Sequence, residues 1–331
     1  MSVLDRVDAA RQAVLKAIPE DFLDLSDIEG TRKRFDEVAH RLRKSERPAG
    51  LRVDDHGVAA EDGHEVLVRI YRPAGLPNPA PVLYWINGGG MVLGSVSNDD
   101  DYCIGQATHL NIAVASVEYR LAPEHPFPTP VEDSYAGLRW LSSHAADLGL
   151  DPERIAVGGA SAGGGIAAGV ILAARDRGEV PICFQFLVYP MLDDRNATPS
   201  AEATTDPRVW NREANRLGWA AYLSDRAGTD DISPYAAPAR ATDLSGLPPA
   251  YLNVGELDLF LDEDIAYAQR MLRAGVPVEL HVYPGAFHGS DNQVSRSLLS
   301  RRWKADERAA LDRALNRSEG DGRVTRDAAG S

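Results

Sequence analysis

Five residues, Gly159-Ala160-Ser161-Ala162-Gly163, restrict what this chain can fold into more than any other stretch. The run before them, Arg154-Ile155-Ala156-Val157-Gly158, is short and mostly apolar and predicts a buried strand. The run after them, from Gly164-Gly165-Ile166 to Ala173-Ala174, is small and apolar and predicts a buried helix. Strand, tight turn and helix are the context a G-x-S-x-G nucleophile elbow needs. Its glycines leave room for a strained turn that raises the serine hydroxyl above the carboxyl edge of a sheet. The amide of Ala162, first in the helix, then faces a bound carbonyl oxygen.

Other glycine-rich turns fit less well. A phosphate loop needs Lys followed by Ser or Thr where this chain has Gly164-Gly165-Ile166, and the G-x-G-x-x-G register of dinucleotide folds is absent. Close helix–sheet packing without chemistry is the remaining alternative. At 331 residues and 44% hydrophobic, the chain can bury a large core. Its formal net charge of −14 disfavours nucleic acid and anionic membranes as partners. Two cysteines, Cys103 and Cys183, are too few for a disulfide framework or a cysteine metal site. The charged N-terminus lacks an apolar signal core, and the expectation is a soluble cytoplasmic protein.

Along the chain, residues 5–18 and 28–44 carry helical periodicity, with Ser26 and Thr31 as possible helix starts. Apolar or alternating runs then predict strands over 65–71, 82–86, 112–117, 154–158, 183–189, 250–254 and 278–282. Helices are expected between them over 131–144, 262–274 and 290–316. This alternation means an α/β fold with a mostly parallel sheet. The polar segment 191–247, carrying Trp210, Trp219 and Tyr222 on an expected helix, interrupts it. With residues 1–50 it is expected to form a helical cap on a catalytic domain spanning 51–316, while residues 317–331 have the composition of a disordered tail.

A serine hydroxyl needs a base, and the base an orienting carboxylate. His288 lies just beyond the last expected strand, whereas His281 falls inside it. Asp258 follows the strand over 250–254 by a short loop. Glu256 and Asp262 are rival acids, Asp262 being suited to cap the helix after it. Ser161, Asp258 and His288 keep the α/β-hydrolase order of nucleophile, acid and base. Asn87-Gly88-Gly89-Gly90 directly follows the strand over 82–86, where a glycine-rich oxyanion loop belongs.

Together these stretches resemble the hormone-sensitive-lipase-like family of α/β-hydrolases, the bacterial carboxylesterases with an H-G-G-G loop. Tyr119 to Pro128, the acidic segment Asp258–Glu263 and the run Tyr283–Gly289 add to the likeness, which covers about residues 50–290. The resemblance implies an eight-stranded sheet with an antiparallel second strand, helices on both faces, and a cap. It also implies Ser161, Asp258 and His288 as a catalytic triad, oxyanion amides from Gly89, Gly90 and Ala162, no cofactor or metal, and a homodimer.

Three positions depart from the family pattern: Asn87 stands for the usual histidine, Met91 stands where an aromatic is common, and Ala160 stands for a polar residue. Asn87 can still brace the loop by hydrogen bonds, but carries no charge. In Asp99-Asp100-Asp101 the ordinary role is helix capping and solvated charge, with repulsion of anionic substrates as a further effect. The expected substrate is a small to medium neutral apolar ester, or alternatively a lactone. Asn87, Gly88, Met91, Trp210, Trp219, Tyr222, Phe260 and Leu261 are the candidate substrate contacts. A non-catalytic small-molecule receptor on the same fold is the rival, and intact Ser161, Asp258 and His288 argue against it.

Overall fold

The computed structural model describes residues 6–42 and 47–316. The tail assigned to 317–331 lies outside them. Eight strands form one sheet: β1 (Arg52–Ala59), β2 (Glu65–Arg72), β3 (Ala80–Ile86), β4 (Ala113–Glu118), β5 (Leu150–Ala160), β6 (Phe184–Val188), β7 (Ala250–Gly255) and β8 (Val278–Tyr283). Their order is β1-β2-β4-β3-β5-β6-β7-β8. β2 runs antiparallel to both neighbours, and every pairing from β4 to β8 is parallel. β3, β6 and β7 are buried along their whole length, because both faces of the central sheet are covered.

The helices are α1 (Ala9–Ala17), α2 (Ile28–Leu42), α3 (Asp100–Leu110), α4 (Thr129–Ser143), α5 (Ala162–Arg177), α6 (Pro199–Ala203), α7 (Arg212–Leu223), α8 (Leu261–Arg273), α9 (Ser290–Gln293) and α10 (Leu298–Leu315). One core lies between the sheet and α4, α5 and α8, and includes Tyr84, Val157, Leu187 and Ile166. The second lies under α3 and α10, with Trp85, Phe186, Tyr251, Tyr283 and Trp303. Among the described residues no helix is long and apolar enough to cross a membrane.

The small residues of α5 have a packing cause. A Cβ on Gly165 would stand 2.0 Å from Met191 O, and one on Gly169 would stand 2.1 Å from Tyr235 O. The backbone of segment 191–247 therefore lies directly on this helix, at a distance only glycine allows. Glu263 also holds the segment's start, accepting from the amides of Leu192 and Asp193 at 2.7 and 3.2 Å.

Several local expectations change. The helix expected over 290–316 is broken: α9 ends at Gln293, and Ser297 starts α10 by accepting from Ser300 N. α2 begins at Ile28 rather than at Thr31, whose hydroxyl donates to Asp24 O. Asp27, not Ser26, accepts from the Gly30 amide in its first turn. Trp210 precedes α7, so it does not share that helix with Trp219 and Tyr222. Asp262 does not cap α8. Its Oδ2 accepts from Ser200 N at 2.7 Å, and its own amide donates to Ser200 Oγ at 3.2 Å, so it ties α6 to the start of α8.

Candidate active site

Four strands of the parallel part of the sheet end at one edge, and each hands the chain to a loop with a site residue. Asn87 follows β3, Ser161 follows β5, Asp258 follows β7 and His288 follows β8. The carboxyl edge of an open sheet is where such folds bind ligands, because the diverging loops leave a crevice there.

Ser161 sits between β5 and α5 with φ 57° and ψ −123°, a strained backbone for a residue with a Cβ. Its amide donates to Val188 O, and its carbonyl accepts from Met191 N, both at 2.9 Å. These bonds to the β6 edge hold the turn in a conformation the serine would not choose alone. His288 Nε2 is 2.9 Å from Ser161 Oγ, and His288 Nδ1 is 2.8 Å from Asp258 Oδ2. The other carboxylate oxygen, Asp258 Oδ1, accepts from Phe260 N at 3.0 Å. Asp258 thus accepts from one donor at each oxygen in a buried position. Tyr189 and Phe260 pack edge-on against the His288 ring, with centroids 4.7 and 5.1 Å away, and keep it from swinging off this line.

The rival carboxylates are elsewhere. Glu256 pairs with Arg6 and accepts from Gly285 N at 2.9 Å, which braces the loop before His288 without touching the imidazole. Those two donors hold its carboxyl below the usual range. His281 turns from the site and pairs with Glu279 at 2.8 Å.

The glycine loop lies against the elbow. A Cβ on Gly88 would come 2.8 Å from Ala160 O and 3.4 Å from Ser161 Cβ, and one on Gly90 would meet the Trp210 ring at 2.1 Å. The Gly89 carbonyl accepts from the amides of Val92 and Leu93, which closes a tight turn. The amides of Gly89 and Gly90 make no bond to another described residue. Ala162 N, at the first position of α5, has no acceptor within its helix. Asn87 is buried; its Nδ2 donates to Gly88 O at 3.1 Å and its carbonyl accepts from the Tyr119 hydroxyl at 2.9 Å. It braces the loop through neutral hydrogen bonds.

A cavity of about 230 Å³ opens onto Ser161 and His288. Asn87, Gly88, Gly89, Gly90 and Trp210 line it. Met91, Trp219, Tyr222, Phe260 and Leu261 do not. The first four of these are buried in packing, with Phe260 behind His288, and Leu261 faces a separate groove. The remaining apolar wall comes from Phe22, Leu23 and Phe35 of the N-terminal segment, with Val209 next to Trp210. Sequence reasoning missed these residues. The one available signal was the apolar pair Phe22-Leu23 in a non-periodic linker, too exposed a place for such side chains unless something covers them.

The chain matches the family described as alpha/beta hydrolase fold over residues 83–291. It belongs to this family. A carboxylesterase of Mycobacterium tuberculosis, NlhH, is 35% identical over 316 residues, which cover 94% of this chain and 97% of that protein. Esterase LipI of the same species is 38% identical over 288 residues, or 86% and 87% of the two chains. The solved structure titled Bacterial Heroin Esterase superposes with a TM-score of 0.92 at 44% identity, covering 96% of this chain and all of that one. This α/β-hydrolase is thus a hydrolase acting on ester bonds, of the hormone-sensitive-lipase-like group that its motifs resemble. Its own loop reads Asn-Gly-Gly-Gly.

Proposed function

We propose that this hydrolase is a serine carboxylesterase that works through an acyl-enzyme, with Ser161 as nucleophile, His288 as base and Asp258 as its orienting acid. The observation that carries this reading is the unbroken hydrogen-bonded line from Asp258 through His288 to Ser161, with spans of 2.8 and 2.9 Å. Ser161 Oγ attacks the acyl carbon as its proton passes to His288 Nε2. The resulting oxyanion accepts from the amides of Gly89, Gly90 and Ala162, a reading supported by their lack of another acceptor and by the position of Ala162 at the start of α5. The carbon–oxygen bond to the alcohol breaks as His288 returns the proton to the leaving oxygen. Water then gives a proton to His288 and attacks the acyl carbon, and the bond to Ser161 Oγ breaks as His288 returns that proton to the serine oxygen and the acid is released.

Residues 1–50 and the 191–247 insertion act as the cap, since Phe22, Leu23, Phe35, Val209 and Trp210 form the wall opposite Ser161. A cleft of about 230 Å³ falls below the usual range for drug-sized ligands, which favours short to medium acyl groups over long chains. Rates across p-nitrophenyl esters of graded acyl length, with a panel of lactones, test the substrate class. The Ser161→Ala variant, folded by circular dichroism, tests the chemistry. It is expected to lose at least about a thousandfold in turnover and to yield no adduct with an organophosphonate. A folded Ser161→Ala protein that keeps a tenth of its activity refutes the nucleophile, and binding without turnover by the wild type would mean a receptor. Lactones cleaved faster than every linear ester would move the assignment to the cyclic substrate.

A further inference from the structure

Asp99 stands just ahead of α3, where an aspartate ordinarily accepts from the amides of the first turn. It makes no such bond. Its Oδ2 instead accepts from Trp85 Nε1 at 2.7 Å, and Trp85 is its one hydrogen-bond donor among the described residues. The carboxylate lies on the boundary of two cavities, the cleft at Ser161 and a larger one of about 580 Å³ beside it. Residues common to both walls are Asn98, Asp99, Ala160, Tyr189 and Asn292, so Asp99 is the one charged group that both cavities share. Ala160 directly precedes the nucleophile. A substituent that extends from an ester on Ser161 toward the larger cavity therefore meets Asp99 together with the other shared residues.

No cationic side chain among the described residues forms an ion pair with the Asp99 carboxylate, and Lys304 acts on it only from a distance. Lys304, on the wall of the larger cavity, is already held by Asp291 at 2.5 Å and Glu307 at 3.2 Å, two carboxylates to one ammonium. The neighbouring Asp100 is taken by the Tyr71 hydroxyl and by Arg69. Arg308 lines the larger cavity but not the cleft. Burial lifts the Asp99 carboxyl to about 6, against the pull of the Trp85 N–H and Lys304, and the group is mostly ionised above pH 7. Around it stand the aromatic rings of Trp85, Tyr102 and Tyr189. Lys304 Nζ lies 5.1 Å from the Tyr102 ring centroid, which shows that this wall already accommodates one ammonium. A carboxylate beside aromatic faces is the chemistry that recognises substituted ammonium groups.

We propose that Asp99, with the aromatic wall behind it, makes this enzyme selective for esters that carry a quaternary or protonated amine. The proposal rests on the esterase reading above and revises its neutral substrate at one end: the acyl group remains apolar, and the alcohol brings the cation.

The test compares kcat/KM for butyrylcholine and its uncharged isostere 3,3-dimethylbutyl butyrate, in the wild type and in Asp99→Asn, at pH 8 and fixed ionic strength. Asparagine keeps an acceptor for Trp85 and removes only the charge. The wild type is expected to favour the choline ester by about tenfold or more, and the variant to lose most of that preference. A wild-type ratio of one or less overturns the proposal, and so does a preference that survives in Asp99→Asn. A second measurement needs no variant: choline should inhibit p-nitrophenyl acetate hydrolysis at a concentration about tenfold below that of 3,3-dimethylbutan-1-ol. Equal inhibition overturns the proposal. Efficient but undiscriminating hydrolysis leaves the esterase reading intact and sinks this one alone. Absence of any Ser161-dependent hydrolysis sinks both.

Discussion

Replacing Asp258 by asparagine should disable His288 through its tautomer rather than through its position. The Asp258 side chain accepts twice, from Phe260 N at 3.0 Å through Oδ1 and from His288 Nδ1 at 2.8 Å through Oδ2. Asparagine has one acceptor and one donor end. The fixed amide of Phe260 claims the oxygen, so the NH2 group is the end that meets His288. It donates to Nδ1, which forces the ring proton onto Nε2, the atom 2.9 Å from Ser161 Oγ. An Nε2 that carries a proton cannot take another from the serine, and the imidazolium formed during attack loses its counter-charge. Loss of a triad acid with geometry retained typically costs about ten-thousandfold in turnover, or about 5.5 kcal/mol of barrier. Steady-state hydrolysis of p-nitrophenyl butyrate by Asp258→Asn, Glu256→Gln and Asp262→Asn reads this directly. The second and third should stay within about tenfold, because Glu256 braces a loop through Gly285 and Asp262 holds Ser200. A folded Asp258→Asn that retains a tenth of kcat/KM refutes the tautomer argument, and Asp262→Asn as the most damaging change would reassign the acid.

Trp210→Ala should raise kcat/KM for longer acyl chains relative to acetate by several-fold, because its ring fills the space beside Gly90. It should also lower the melting temperature, as aromatic truncations in packed sites cost about 3–5 kcal/mol. If the temperature falls and the ranking among esters holds, Trp210 only packs the insertion onto the loop. Asp99→Asn should be more stable than the wild type at pH 8 by an amount on the order of 3 kcal/mol. Raising a carboxyl from 3.8 to about 6 carries that cost at 1.36 kcal/mol per pH unit. The sign follows from proton binding: the native state holds the proton more tightly, so the wild type gains stability as pH falls through 6 and the gap closes near pH 4. Denaturant melts that keep the same gap at both pH values would refute the buried charge.

The sheet was legible because its central strands are buried on both faces, which writes them as continuous apolar runs such as Val82-Leu83-Tyr84-Trp85-Ile86. Ser161 and Asp258 were legible because each follows a buried strand by a few residues, and His288 because it follows the half-exposed edge strand β8, since parallel strands bring all their carboxyl ends to one edge. The cleft wall was not. Helical spacing of Trp219 and Tyr222 tells which residues share a face, but not whether that face meets a cavity or a core, and here it meets the core. Trp210 reaches the cleft from outside the helix, through a turn with no periodic signal. Phe22 and Leu23 come from a linker whose position depends on chain segments far away in sequence. Asp99 was visible as charge, yet nothing in an Asp-Asp-Asp run tells which carboxylate faces in.

Backbone strain marks the same edge independently of any side-chain motif. Six non-glycine residues among those described have a positive φ, and two of them, Asn111 and Asn196, are asparagines, which tolerate it. Of the other four, Met91 follows the loop after β3, Ser161 ends β5 and Tyr189 ends β6, three neighbouring strands of the sheet. Each such residue costs on the order of 1–3 kcal/mol and persists only where its surroundings over-determine it. Here the determinants are visible: Met91 O accepts from Ala122 N, Ser161 is held by Val188 and Met191, and Tyr189 N donates to Asn253 O at 2.8 Å. Ser161 and Tyr189 line the cleft together with Asp99 and the glycine loop, whereas Met91 is buried in packing and Ser224 lies at the end of α7. A chain under selection for stability alone would relax all of these. Where Ser161 and Tyr189 border the cleft, the fold holds a strained arrangement ready before substrate arrives, which on the proposed mechanism lowers the barrier when charge develops on the acyl oxygen.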